Sequence, residues 1–298
     1  MQYTPLPGDH PRNGERTSGR RLDRTVRRRR ARRDAVIAGA GVLIAAALVT
    51  GGFLLYRSLT GHRAKTATVY RVVIPEGLTV KQTAARFQEA TRGHISSSRY
   101  MDAASSGPFR QAFLKDADGN LEGFLFPKTY EVTGLTSARS MVNKQLKQFG
   151  IETSDLDWGR AASLGVTPYK VVIIASMIEK EVKLPSERPL VASVIYNRLK
   201  KGMKLGIDAT IQYALGEWKP RLTDSDLKVD SPYNTYTHSG LPPAPICNPG
   251  FESIRAALYP ASTDYIYYIL TSPAEGRHSF TSDYQQFARW KKEQNGGL

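Results

Sequence analysis

Acid–base chemistry needs a carboxyl group held where water is scarce, and the neighbourhood of Glu179 offers one. Residues 171–178 carry no charge, and Glu179, Lys180 and Glu181 follow at once. An apolar run of this kind predicts a helix buried on nearly every side. A core helix ending in an acid would set that acid at the floor of a cleft, and burial would keep it protonated near neutrality. The plain alternative is an ordinary core helix whose charged end reaches water. The residues themselves leave Glu179 and Glu181 both open as the acid.

Further groups could serve a sugar. Glu122 lies in the segment LEGFLFPKTYEV with Phe124, Phe126 and Tyr130, and ring faces beside a carboxylate suit a glycan cleft as well as a core. Tyr233, Asn234, Thr235 and Tyr236 sit in an irregular stretch, residues 231–250, that holds Pro232, Pro242, Pro243, Pro245 and Pro249. A long ordered loop with polar-tipped residues is often functional. Asn197 and Asp208 precede it in the chain, with helix packing and an N-cap as their simpler roles. The five histidines (His10, His62, His94, His238, His278) are scattered, no HExxH occurs and Cys247 is the only cysteine, so no metal site is expected. That single cysteine also precludes an intrachain disulfide and suits a small buried residue. GxSxG, P-loop and dinucleotide fingerprints are absent, so no cofactor is expected. Among enzymes this leaves carboxylate chemistry, for which glycan cleavage is a fitting reaction.

The elements that must position these groups are legible. Residues 69–74 alternate as a strand, Pro75-Glu76-Gly77 makes a turn, and Thr79 caps a helix that Gly93 stops. Thr136 or Ser137 caps a helix through Lys147, and residues 158–164 form a short one. Pro168 opens the central helix and Pro185 ends its pattern. Ser186-Glu187-Arg188-Pro189 starts the next helix, which Gly202 closes. Asn248 is a candidate cap for residues 250–260, residues 265–270 form a strand that residues 278–280 could pair, and a last helix covers residues 283–291. The pattern predicts an α+β fold.

The N-terminal part has another character. Net charge is +15, and residues 1–34 contain eleven Arg against four acids. With few large apolar residues, this arm is expected to be disordered. Residues 35–56 then carry no charge. As a helix they span about 33 Å, enough for a bilayer core. Nine Arg lie between Arg20 and Arg33, so the positive-inside rule puts the N-terminus in the cytoplasm and the remainder outside. A cleaved signal peptide would have a shorter apolar core, so an uncleaved single-pass anchor is the reading, with the Arg cluster serving topology rather than nucleic acid. Residues 57–68 form a linker.

Four segments carry a resemblance: LEGFLFPKTY, IASMIEKEV, VIYNRLKKGMKL followed by DATIQYALG, and SPYNTYTHSGLPPAPICNPG. Together they are similar to the MltG/YceG-like endolytic murein transglycosylases, over most of residues 70–290. Lys128 stands where an acid is frequent in that family, and Gly206-Ile207 replaces a polar pair. The IPEGLTVKQTAARF unit resembles the family's LysM-like subdomain. The resemblance implies a LysM-like part at residues 69–120 and a catalytic part at residues 121–298. It selects Glu179 over Glu181 as the catalytic acid/base. The implied reaction cleaves the β-1,4 bond between MurNAc and GlcNAc inside nascent strands and leaves 1,6-anhydro-MurNAc ends, without a water-activating base. Tyr233, Asn234, Thr235 and Tyr236 become candidates for the sugars, with Glu122, Asn197 and Asp208 behind them. Peptidoglycan strands are the implied substrate, and the cell-wall synthesis machinery the implied partner at the membrane. A hydrolytic muramidase on the same fold, or a non-enzymatic wall-binding or division scaffold, is the alternative.

Overall fold

The computed structural model describes residues 19–60, 68–107 and 109–296. The chain divides into two units, residues 1–66 and 67–298.

The first unit is one helix, α1 (Gly19–Thr60). Its segment Arg27–Arg57 is long and apolar enough to cross a membrane. The large apolar residues along it, Leu43 and Leu48 among them, are about as exposed as side chains on an isolated helix. The Arg-rich arm, expected to be disordered, is helical from Gly19 onward. Arg is a good helix former, and a helix nucleated in the apolar segment extends into it without a second nucleation cost. Residues 1–18 of the arm, and residues 61–67 of the linker, lie outside the described residues.

The second unit begins with β1 (Tyr70–Val73), α2 (Val80–Ala90), α3 (Ser97–Ser105) and β2 (Thr129–Val132). Thr79 and Gln82 form a reciprocal capping box at the start of α2. Val80, Thr83, Ala84 and Phe87 make one buried face of α2. Phe87 stacks on Tyr100 of α3 with ring centroids 5.2 Å apart. β1 and β2 pair antiparallel, Tyr70 opposite Val132 and Val73 opposite Thr129. This pairing crosses the boundary expected between residues 120 and 121: β2 belongs with the first strand, because a lone strand has no ladder partner until the chain returns.

The helical part follows with α4 (Ala138–Glu152), α5 (Arg160–Ser163), α6 (Pro168–Glu181), α7 (Arg188–Lys200), α8 (Asp208–Leu215) and α9 (Phe251–Leu258). A hairpin of β3 (Tyr267–Ser272) and β4 (Arg277–Thr281) and then α10 (Tyr284–Gly296) complete it. α6 is the axis. Thr167 caps it, Pro168 occupies its first turn, and every residue from Val171 to Ile178 is buried. Its neighbours are α7, α8 and α9. Each of these large apolar side chains stabilises the fold by about 1.5–3 kcal/mol relative to exposure. The helix stops where Val182 turns extended (φ −119°, ψ 136°).

One sequence assignment changes here. Asn248 does not cap α9, whose N-cap is Gly250. Its Oδ1 accepts the backbone N–H groups of Gly123 and Leu125, both at 3.0 Å, and its Nδ2 donates to the Leu78 carbonyl at 2.9 Å. Asn248 therefore ties three segments together. Gly123 needs its glycine, since at φ +94° a Cβ would lie 2.6 Å from Pro245 and 2.8 Å from Val172. Phe124, Phe126 and Tyr130, for which the sequence offered a core beside a sugar cleft, are core residues at 0, 6 and 2% exposure.

Candidate active site

The last turn of α6 sends its three charged side chains in three directions. Glu179 turns to the start of α9: its Oε2 accepts the Gly250 backbone N–H at 3.0 Å and the Ser253 hydroxyl at 2.7 Å. The acid thus supplies the acceptor that α9 lacks at its own N-cap, and the positive end of that helix faces it. Oε1 takes no hydrogen bond from the described residues and lies 4.0 Å from Nη2 of Arg188 at the start of α7. The Glu179 side chain is 8% exposed and that of Arg188 12%. The apolar run supports the acid from behind, as expected, but the carboxylate itself sits among donors and not in an apolar pocket.

Lys180 donates to the Gly77 carbonyl at 3.3 Å and lies over the Trp218 ring, 3.8 Å from its centroid. Glu181 accepts the Tyr268 hydroxyl at 2.9 Å, and burial pushes its carboxyl up to about 7. Two helix positions are roughly 200° apart, so Glu179 and Glu181 serve different surroundings. The sequence alone did not choose between them. The structure sets Glu179 beside α9 and Glu181 against β3.

The turn at residues 75–79 closes over Glu179. A Cβ on Gly77 would lie 3.6 Å from Cγ of Glu179. The Gly77 N–H donates to the Asn248 carbonyl and the Asn248 N–H to the Leu78 carbonyl, each at 2.9 Å. Read only as a turn in the sequence, Pro75-Glu76-Gly77 is a wall of this site. Arg188, Gly250 and Ser253 were also passed over. The one signal they offered was their position at helix starts, where N–H groups and anions meet.

The other candidate residues divide. Glu122 accepts the Val80 N–H at 3.0 and 3.2 Å and the Tyr213 hydroxyl at 3.4 Å, so it serves the N-terminus of α2. Burial pushes its carboxyl up to about 8, with those hydrogen bonds opposing. It borders a cavity of 470 Å³ together with Lys81, Met101, Asn120 and Tyr213. Asn197 donates to the carbonyls of Thr263 and Tyr265, both at 2.9 Å, and holds that loop against α7. Asp208 is the first residue of α8, not its N-cap, and takes the hydroxyl of Tyr236.

Within the loop, Asn234 and Thr235 turn inward. Asn234 is fully buried; it donates to the Leu227 and Val229 carbonyls and accepts the Tyr236 N–H. Thr235 accepts the Ile207 N–H at 2.9 Å. Both are therefore spent on loop shape. Tyr233 and Tyr236 keep partial exposure, and Tyr233 packs on Tyr213 with ring centroids 4.8 Å apart.

Cys247 is buried, with its thiol directed at the Ser176 carbonyl, and burial pushes that thiol up. It is inert as a nucleophile. No group of three or more metal-ligating side chains occurs among the described residues.

A cavity of 480 Å³ adjoins the site, lined by Pro185, Arg188, Phe251, Glu252 and Arg255. A larger one of 850 Å³, lined by Tyr169, Asn197 and Pro242, lies at the other end of α6. Its lining on α6 runs from Tyr169 to Ile173, about 9–15 Å along the helix from Glu179.

Comparisons agree with this architecture. The crystal structure of a YceG-like protein from Listeria monocytogenes superposes with a TM-score of 0.67 at 34% identity, covering 74% of this chain and 75% of that one. A protein of Bacillus subtilis (strain 168) named endolytic murein transglycosylase is 37% identical over 198 residues, 65% of this chain and 53% of its own. One of the same name from Streptococcus pneumoniae R6 is 29% identical over 219 residues, 72% of this chain and 39% of its own. The chain therefore spans about half the length, or less, of the curated relatives it matches. Residues 45–293 match the model of the YceG-like family. The chain belongs to the YceG-like family.

Proposed function

We propose that this protein is an endolytic murein transglycosylase that cuts the β-1,4 bond between MurNAc and GlcNAc within glycan strands, with Glu179 as its acid/base. The observation that carries the reading is the asymmetric grip on Glu179: Oε2 is held by two hydrogen-bond donors, while Oε1 has none among the described residues and only the Arg188 guanidinium at 4.0 Å. A carboxyl fixed through one oxygen presents the other to substrate in a defined direction. The Oε1 proton passes to the leaving glycosidic oxygen. The resulting carboxylate, stabilised by the Gly250 N–H, the Ser253 hydroxyl and Arg188, then takes the proton of the MurNAc C6 hydroxyl as that oxygen closes on C1. The product is a 1,6-anhydro end, and the enzyme recovers its proton. The names of the relatives support the same substrate.

The strand–helix–helix–strand unit at residues 70–132 is the part we assign as LysM-like, larger than the sequence suggested. α1 serves as an uncleaved anchor, with the Arg-rich side in the cytoplasm and residues 67–298 outside, within reach of strands as they are made and of the machinery that makes them. Tyr233 and Tyr236 remain the loop residues proposed to meet sugar.

The deciding experiment is digestion of purified peptidoglycan by the full-length protein, with products identified by mass. Release of 1,6-anhydro-MurNAc ends by the wild type and not by Glu179→Gln is the expected result. Reducing ends in their place would make the protein a muramidase, and no cleavage at all would favour a scaffold.

A further inference from the structure

α8 ends at Leu215, Gly216 turns the chain at φ +73°, and Trp218 follows in the open. It is 39% exposed and takes no part in the hydrophobic core. An exposed indole with no packing duty is usually loose, but this one is held from two sides. Its backbone is pinned through the next residue: the Gln212 side chain on α8 accepts the Lys219 N–H at 2.8 Å and donates to the Lys219 carbonyl at 2.9 Å. Lys219 is tied in turn to Asp226 at 2.8 Å, and Asp226 is buried. Its ring is pinned by Lys180, whose ammonium lies 3.8 Å from the ring centre and donates to the Gly77 carbonyl at 3.3 Å. Of the aromatic side chains, tryptophan holds a cation best. The same contacts lead to the acid. A Cβ on Gly77 would lie 3.6 Å from Cγ of Glu179 and 3.7 Å from Nζ of Lys180. Glu179, Gly77, Lys180 and Trp218 are therefore successive neighbours, and the ring stands within about a disaccharide's length of the carboxyl.

We propose that Trp218 is the platform of a sugar subsite beside Glu179, on which a pyranose ring of the glycan strand stacks, with Lys180 holding the indole from the opposite face. The proposal rests on the reading of Glu179 as the acid and of glycan as the substrate. A β-1,4-linked amino sugar with equatorial substituents presents C–H groups on its faces and hydroxyls at its rim. Laid on an aromatic ring, those C–H groups leave water and meet the negative face of the π system, while the rim stays hydrated. The indole offers the largest such face of any side chain. A ring fixed beforehand by the Gln212 clamp and the Lys180 contact loses little freedom when a sugar arrives, so more of the contact is expressed as affinity. An enzyme that cuts within a strand has no chain end to grip and must hold sugars on either side of the bond it breaks. Trp218 supplies one such hold at a short distance from the acid, and Lys180 is the residue that couples the two, since it follows Glu179 on α6 and touches the ring.

The test separates binding from cleavage. Full-length Glu179→Gln protein is titrated with uncrosslinked glycan fragments of alternating GlcNAc and MurNAc, followed by calorimetry and by tryptophan emission. Binding should shift the emission, and the shift should vanish when Trp218→Phe is added, leaving only Trp158 and Trp290 to report. Calorimetry should still find binding in that variant, because Phe keeps a smaller ring. Adding Trp218→Ala instead should weaken binding about tenfold, the effect of exposing one stacked face, with the thermal transition unchanged. In the enzyme with Glu179 intact, Trp218→Ala should raise KM for anhydro-end release by a like factor while kcat moves little, as for a contact made equally before and during the reaction. Lys180→Ala should weaken binding alone and add little in the Trp218→Ala background, because it acts through the ring. Unchanged affinity in Trp218→Ala, or an emission shift that survives Trp218→Phe, overturns the proposal and leaves Glu179 in its role. If the fragments bind through Trp218 but the wild type releases no anhydro ends, the subsite stands and the transglycosylase assignment falls.

Discussion

Glu179 accepts the backbone N–H of Gly250 at 3.0 Å, so the end of the buried helix α6 and the beginning of α9 meet on a single carboxylate oxygen. The contact satisfies an N–H that α9 cannot satisfy itself, and it fixes the direction of the acid.

Exchange of Glu179 for Gln keeps an oxygen acceptor for Gly250 and Ser253 but removes the transferable proton. Anhydro-end release is expected to fall by at least about 10²–10⁴-fold, the usual weight of a general acid, with the thermal transition little changed. Glu181→Gln, on the face toward Tyr268, is expected to leave product release intact. Parallel digestion assays with both variants check the assignment, and equal losses would place the acid elsewhere.

Ser253 is fully buried and its hydroxyl donates to Glu179 at 2.7 Å. A hydrogen bond to a charged group contributes about 1.5–3 kcal/mol, so Ser253→Ala should reduce kcat by about 10- to 100-fold. KM should move little, because the bond strengthens as Glu179 becomes a carboxylate. Steady-state kinetics on soluble glycan fragments measure the split.

Asn248 is 1% exposed and holds residues 78, 123 and 125. Asn248→Ala strands two buried N–H groups, each at a cost of about 1–3 kcal/mol. A drop of several kcal/mol in unfolding free energy is expected from urea titration, together with loss of activity, because the turn over Glu179 loses its anchor.

Stability should depend on pH through Glu122. Its carboxyl is raised to about 8 in the folded protein by burial, whereas an unfolded Glu titrates near 4.3. The folded state therefore binds the extra proton between these values, and stability falls as pH rises through that window. Glu181, raised to about 7, acts in the same sense. Glu122→Gln should flatten the dependence, losing less stability relative to wild type at pH 9 than at pH 5. Urea midpoints at the two pH values read this directly.

Local signals were strong wherever a residue acts on its own neighbours. Thr79 spelled a helix cap, Pro168 a helix start, the uncharged run before Glu179 a buried helix, and residues 35–56 a segment able to span a bilayer. Period, capping and hydropathy are properties of a few consecutive residues, so the sequence by itself determined the elements, their α+β character and the shortlist of Glu179 and Glu181. Only the tertiary structure decided what each side chain faces. It paired β1 with β2 across 55 intervening residues, spent Asn234 and Thr235 on loop shape, turned Asn248 from a cap into a clamp, and brought Gly77 and Arg188 to Glu179. Those outcomes depend on contacts between segments far apart in the chain, and burial, charge and hydrogen-bond supply at a carboxylate are set by such contacts rather than by the residues beside it.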